Sequence, residues 1–496
     1  MVSSRRFIAA AAGLVAALVV VVSLGLPPPP AGAGDNGDGY RLYCGAGLAP
    51  ATPDGRSNWK GGVVLDFTTG TPPCSDPIHS SALPILKLAT VGAGPVWSLD
   101  RLGLLYALGV GLVTALAAWT LRSAAQLPVL VPALVPLAGL TFTRFFVSSF
   151  GEPAGLLGAY TLCLGIGVLA VTDRRFSGRR VGGLVLVAGG GILAATSKTA
   201  YVPLLGIAVV ICAATAVRLA GRERVLGPAV AVAVTLLAAA PVLSGAAWQQ
   251  RNYAVVNAHD LVFTVALPEI GDAALAPLGL PPAAAPFAGR AYFPESARGY
   301  PGSEVVAARP AEVRSAAYRL LLTHPDAAAR AVGTGLEATL GAGLEYLPSR
   351  PLTPATVAPV QGSSVGEQGA DRGRLLGWLA TLPVPWLPAA VALTGVAAGV
   401  VGRRHGRRHG GGLVEALTRI AALAALTAVG LVVVAVAGDG YFEIAKHVWL
   451  AAYLLEVTGA ALVLAAVSAL AGRRYPRGPW VTQDTTSSSS VRASSG

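Results

Sequence analysis

The sequence is short of charge: only 12% of its residues are Asp, Glu, Lys or Arg, about half the share of a typical soluble domain. With 53% hydrophobic residues and a mean hydropathy of +0.61, the chain cannot keep a water-soluble surface. It lacks metal-ligand spacing among its four cysteines. It carries no helix-turn-helix or zinc signature, so its formal charge of +12 does not point to nucleic acid. No internal repeat is visible, which argues against an inverted-repeat transporter. Lysine is scarce beside arginine, and the arginines sit in short clusters between apolar runs, as in cytoplasmic membrane loops.

What is present is a series of apolar runs long enough to cross roughly 30 Å of hydrocarbon. They fall at 7–26, 101–121, 127–147, 153–172, 181–197, 200–217, 226–246, 384–402, 413–437 and 448–471. The chain therefore reads as an all-α integral membrane protein with about ten transmembrane helices. Two large external loops, 27–100 and 247–383, separate groups of spans. Pro132 and Pro136 break the run at 127–147. The domains expected are a membrane domain at 1–246, an external subdomain at 247–383, a second membrane domain at 384–475, and a Ser/Thr-rich disordered tail at 476–496. In the second loop, Pro310 opens a stretch that places Val313, Ala317, Leu320 and Leu321 on one helix face, and 326–341 suits a second short helix. Such helices either lie in the membrane interface or pack within a small external subdomain.

Basic residues set the sidedness. Arg5 and Arg6 precede the first run; Arg122, then Arg174 to Arg180, Arg218 to Arg224, Arg403 to Arg408 and Arg473 to Arg477 follow alternate runs. By the positive-inside rule both termini are cytoplasmic and both large loops extracytoplasmic. Ala31-Gly32-Ala33 resembles a signal cleavage site, but the preceding run is longer than a signal peptide's apolar region, favouring an uncleaved span. Cys44 and Cys74 share the first outer loop and have the option of bridging in an oxidising compartment. Cys163 and Cys212 read as core thiols.

The unusual polar residues gather at the outer ends of these runs. Asp35 and Asp38 in ‘GDNGDGYRLYCGAG’ (34–47), with Arg41 following, suit a general base, a divalent-metal pair, or a plain Asp-Gly turn. In ‘TRFFVSSFGEP’ (143–153), Ser149 and Glu152 match a capping box, while Arg144 sits near a span end as a partner for Glu152 or for phosphate. Lys198 in ‘TSKTAY’ runs against the positive-inside trend; it either snorkels or meets a lipid phosphate. Asp439, Glu443, Lys446 and His447 fall at i, i+4, i+7 and i+8, a single face on a helix; they are either part of a site or a self-contained Glu–Lys ladder with Trp449 as an aromatic anchor.

Taken in order, ‘NGDGYR’, ‘SSFGEP’, ‘SKTAY’, ‘THPD’ and ‘GDGYFEIAKH’ resemble the motif series of GT-C glycosyltransferases, and more narrowly of WsfD-like hexose transferases of glycan biosynthesis. The resemblance implies sugar transfer from a polyprenyl-phosphate donor to a glycan or lipid acceptor outside the membrane. It makes Asp38 or Asp35 the base, with Asp38 preferred because it begins ‘DGYR’. Lys198, Arg144, Arg251 and His447 are the implied partners of the leaving lipid phosphate, and a single displacement would invert the anomeric centre. The sequence departs from the pattern at Gly39, where an aromatic is expected, at Glu443, where Asp is expected, and at Lys446, where Arg is expected. A transporter or flippase for lipid-linked sugars, and a non-catalytic scaffold of envelope assembly, are the rival readings. The first would place charge at the membrane midplane rather than at one face.

Overall fold

A computed structural model describes residues 2–26, 32–35, 39–52, 64–172, 178–217, 226–293, 299–341, 384–409 and 412–474. Asp38 lies outside the described residues, as do most of the basic loops and the Ser/Thr-rich tail. The main helices up to residue 260 are α1 (Val2–Ser23), α2 (Asp100–Thr120), α3 (Glu152–Val171), α4 (Gly178–Ser197), the shorter α5 (Val202–Ala214) and α6 (Leu226–Asp260). Two helices of the second loop follow, α7 (Pro310–Thr323) and α8 (Pro325–Glu337), and then α9 (Leu387–His409), α10 (Leu413–Asp439) and α11 (Trp449–Arg474).

The protein is a multi-spanning, largely helical membrane protein, but ten full spans do not emerge. Among the described residues seven helices are long and apolar enough to cross, or eight if a bent pair is one span. That pair is Ala124–Ala138 with Leu140–Phe146, meeting at 74°. Pro128, Pro132 and Pro136 remove backbone donors along it, and Gly139 forms the corner in extended conformation. The run near 200–217 forms a shorter apolar helix, Thr199–Ala214. The run near 384–402 lies in α9, whose C-terminal half is rich in Arg and His.

α3 is the axis of the bundle. Every residue from Glu152 to Leu169 is buried, so the helix is covered on all sides rather than striped. Glycines let α4 approach it: a Cβ at Gly158 would stand 2.6 Å from the Ala194 nitrogen, and one at Gly190 2.6 Å from the Leu162 nitrogen. This is small-residue packing, the usual route to helix association in lipid. α1 packs on α2 the same way, with Gly13 against the Gly111 carbonyl. Arg5 and Arg122 both lie within electrostatic range of Arg179 at one end of this bundle. Nearby, buried Arg180 caps two helix ends, donating to the carbonyls of Ala216 (2.7 Å), Leu169 (3.3 Å) and Thr172 (3.2 Å).

The first loop is not only helix and coil. It holds a three-stranded antiparallel sheet in the order β1 (Leu48–Pro50), β2 (Asp66–Thr69), β3 (Val96–Ser98), with Phe67 and Trp97 buried beneath it. Cys44 and Cys74 are joined by a disulfide, their Cα atoms 5.3 Å apart. In the second loop the expected face of α7 is realised: Val313, Ala317 and Leu320 are buried, and the Tyr318 hydroxyl donates to the Ala437 carbonyl at 2.9 Å. Position 246, taken from sequence as a domain boundary, falls inside the continuous helix α6.

Candidate functional site

The chain leaves α1 and is sewn at once to the segment preceding α3. Ala33 N donates to the Arg144 carbonyl (2.9 Å), Gly34 N to Val147 (2.8 Å), and Ser149 N to Gly34 (3.2 Å). These bonds bring Asp35 to Ser149. The Asp35 side chain is fully buried, and its Oδ1 accepts from Gly39 N (2.8 Å) and Ser149 Oγ (2.9 Å). A side chain at Gly39 would run into those same two oxygens, which is why the aromatic expected there is absent. The capping box is not formed: Gly151 is the N-cap of α3, and the Ser149 hydroxyl serves Asp35 instead. Arg144 is almost fully buried against the Phe145 ring.

Glu152, at the first turn of α3, takes Lys198 as its partner, not Arg144. Lys198 Nζ donates to Glu152 Oε1 at 2.8 Å. Lys198 sits where α4 gives way to α5, with its side chain 28% exposed. Gly155 lies directly under the Tyr201 ring, so ‘SSFGEP’ and ‘SKTAY’ form one packed unit.

The C-terminal motif reaches the same place by a route that helix periodicity does not describe. Asp439 ends α10, Gly440 turns the chain at φ 65°, and Glu443 sits at φ 46°, the only non-glycine residue with positive φ among those described. A short helix, Ile444–His447, follows. The four polar residues therefore do not share one helix face. The turn pairs them instead: Lys446 Nζ lies 3.4 Å from Glu443 Oε2, and His447 Nδ1 3.3 Å from Asp439 Oδ2. Trp449 is no interfacial anchor. It is fully buried, donating from its indole nitrogen to the Thr141 carbonyl at 3.2 Å.

Electrostatics show that these groups form one cluster. Lys446 is 6.0 Å from the Phe150 ring centre and acts on Glu152 together with Lys198. Burial holds the His447 imidazole below its ordinary value; Asp439 opposes that shift, and Lys198 and Lys446 add to it. The cluster thus contains Glu152, Lys198, Asp439, Glu443, Lys446 and His447, at the N-terminal end of α3, the C-terminal ends of α4 and α10, and the turn leading into α11. Asp35 and Arg144 adjoin it through the 144–149 segment. Arg41 and Arg251 stand apart on the rim: Arg41 lies over the Tyr253 ring at 4.5 Å, and Arg251 is 3.8 Å from Asp76, both partners exposed.

Sequence reasoning missed three features. ‘THPD’ joins the site indirectly: Asp326 holds Arg330 (3.0 Å), Arg330 holds Glu269 (3.1 Å), and Glu269 accepts the Tyr441 hydroxyl (2.7 Å). A buried group formed by His259, Asp260 and Tyr300 lies behind the turn. Glu456 breaks the expectation that charge stays at one face: it lies within α11, with no hydrogen bond or ion pair among the described residues. Among the described residues no group of three or more His, Cys, Asp or Glu is arranged to hold a metal ion.

Comparison with curated proteins and with solved structures found no match. One family model does match, the YfdI N-terminal transmembrane domain, over residues 2–308. That span is well over half of the chain and carries Asp35, Arg144, Glu152 and Lys198. The chain belongs to the YfdI N-terminal transmembrane domain family.

Proposed function

We propose that the chain is a membrane glycosyltransferase of GT-C type, moving a sugar from a polyprenyl-phosphate donor to an extracytoplasmic glycan or lipid acceptor. The observation that carries this reading is the cluster of Lys198, Lys446 and His447 interleaved with carboxylates at one end of the bundle. Cations there suit an anionic lipid head group, and the adjoining carboxylates suit proton removal from a hydroxyl. The Cys44–Cys74 disulfide supports an oxidising, extracytoplasmic setting for this end, with both termini cytoplasmic in the plasma membrane.

In the proposed step the acceptor oxygen attacks the anomeric carbon and its proton passes to a carboxylate. The bond from that carbon to the phosphate oxygen breaks, and the lipid phosphate leaves with its charge facing Lys198 and Lys446. Asp35 is poorly suited as the base, because its Oδ1 already accepts two hydrogen bonds in a fully buried position. Asp38 is the base in this reading. Asp38→Asn should lower transfer by about 10²–10⁴-fold with donor binding unchanged. Lys198→Ala should weaken donor binding and turnover together. Full transfer by Asp38→Asn, Asp35→Asn and the double variant, in a purified donor-supplied assay, would sink the assignment.

A second reading, a transporter or flippase of lipid-linked sugars, is favoured by Glu456 inside a span and by the helix bent at 74°. It expects Glu456→Gln to stop lipid movement across vesicles, whereas the transferase reading expects that variant to leave sugar transfer intact.

A further inference from the structure

At Asp260, helix α6 gives way to a π-helix, Leu261–Ala266, in which all six residues are buried. A π-turn widens the backbone ladder and commonly marks a place where another group must approach. Here the approaching group is the turn after α10. Thr264 Oγ1 donates to the Asp260 carbonyl at 2.5 Å and accepts from Tyr441 N at 2.8 Å. Gly440 passes so close that a Cβ there would stand 2.6 Å from the Asp260 carbonyl oxygen and would meet the Thr264 hydroxyl.

The platform beneath Thr264 is itself fixed. Asp260 Oδ1 accepts from Tyr292 N (2.7 Å) and lies 3.1 Å from His259 Nδ1, while the other ring nitrogen of His259 bonds the Tyr300 hydroxyl. On the far side of the turn, Glu269 accepts the Tyr441 hydroxyl. Beyond Tyr441 the chain has little freedom. Ile444 N donates to the Tyr441 carbonyl (3.3 Å), and Lys446 N (2.9 Å) and His447 N (3.3 Å) both donate to the Glu443 carbonyl.

We infer that Thr264 is a positioning residue, whose hydroxyl clamps the 440–441 turn and thereby sets where Lys446 and His447 stand. The clamp itself assumes no ligand; its consequence for anion binding rests on the function proposed above. Thr264→Val keeps the side chain's shape but removes both hydrogen bonds, leaving the Tyr441 amide without its acceptor. Thr264→Ser keeps the hydroxyl.

The test is hydrogen exchange on the full chain in detergent, joined to titration with a short-chain polyprenyl phosphate. In Thr264→Val, amides of 438–448 should exchange about 10-fold faster or more, since a buried donor left unpaired forfeits most of its protection. Amides of α3 should stay as protected as in the parent chain, which separates loss of the clamp from loss of the fold. Thr264→Ser should restore the parent rates. Polyprenyl phosphate should bind Thr264→Val about 10-fold more weakly. Parent-like exchange at 438–448 in Thr264→Val, or failure of Thr264→Ser to restore it, overturns the inference. Faster exchange that Ser reverses, with phosphate affinity unchanged, upholds the clamp and removes the anion-binding reading of the site.

Discussion

Two of the chain's four lysines, Lys198 and Lys446, stand in the candidate site, while arginine supplies almost all the remaining positive charge. An ammonium on a flexible stem can leave a carboxylate for an incoming phosphate more readily than a bidentate guanidinium can. The turn that delivers Lys446 carries Glu443 in left-handed backbone at φ 46°. That conformation costs a non-glycine residue ~1–2 kcal/mol. Glu443→Gly and Glu443→Ala both lose the contact to Lys446, so their difference isolates the backbone. The Gly variant should be the more stable by ~1 kcal/mol in chemical unfolding. His447 gives a second test. Its folded pKa lies below its ordinary 6.5, chiefly through burial, so the unfolded chain binds its proton first as pH falls. Its contribution is fully present above about pH 6.5 and is lost as pH drops toward the folded value. The thermal midpoint should therefore fall between pH 7 and pH 5, and His447→Gln should flatten that fall.

Among the elements, the longest apolar runs were legible as spans, whereas the count of ten was not realised and the interruptions were only partly legible. Apolar runs place α2, α3, α4, α10 and α11 within a few residues, because hydrocarbon thickness sets their length. Prolines mark the broken span, but not that Gly139 is where it turns. The small sheet was invisible: its strands are three to four residues long, and the last two are paired across an intervening helix, Ala82–Ala89. The site was legible as a list and not as a geometry. Helical spacing put Asp439 to His447 on one face, whereas Gly440 and Glu443 break the helix and form the pairs by a turn. The partner of Glu152 could not be read, because Lys198 is brought to it by packing of α4 on α3. That packing is testable. Gly190→Leu would force a side chain into the α3 backbone and should cost more than ~3 kcal/mol or prevent accumulation. Gly189→Leu, whose Cβ meets nothing within 4 Å, should be neutral.

For the whole molecule, the family match ends at 308, yet Lys446 and His447 lie far beyond it. The cluster is therefore completed by the part of the chain outside the matched region, and a fragment ending near 308 would keep Asp35, Glu152 and Lys198 without the second lysine. Every role assigned to the cluster depends on which side of the membrane it faces. Positive-inside counting and the disulfide argue for the outside independently, one from arginines at the opposite end and one from redox chemistry. The cysteines make a direct test convenient. Cys44 and Cys74 are bridged, and Cys163 and Cys212 are buried, so the parent chain should be nearly silent to a membrane-impermeant maleimide. Arg290 and Arg404 are both exposed, on opposite sides of the expected membrane. Arg290→Cys should label in intact cells, and Arg404→Cys only after the membrane is opened. Labelling of Arg404→Cys in intact cells, with Arg290→Cys protected, would put the cluster in the cytoplasm, where a disulfide at Cys44 and Cys74 would not persist and lipid-linked donors would have to be met on the other leaflet.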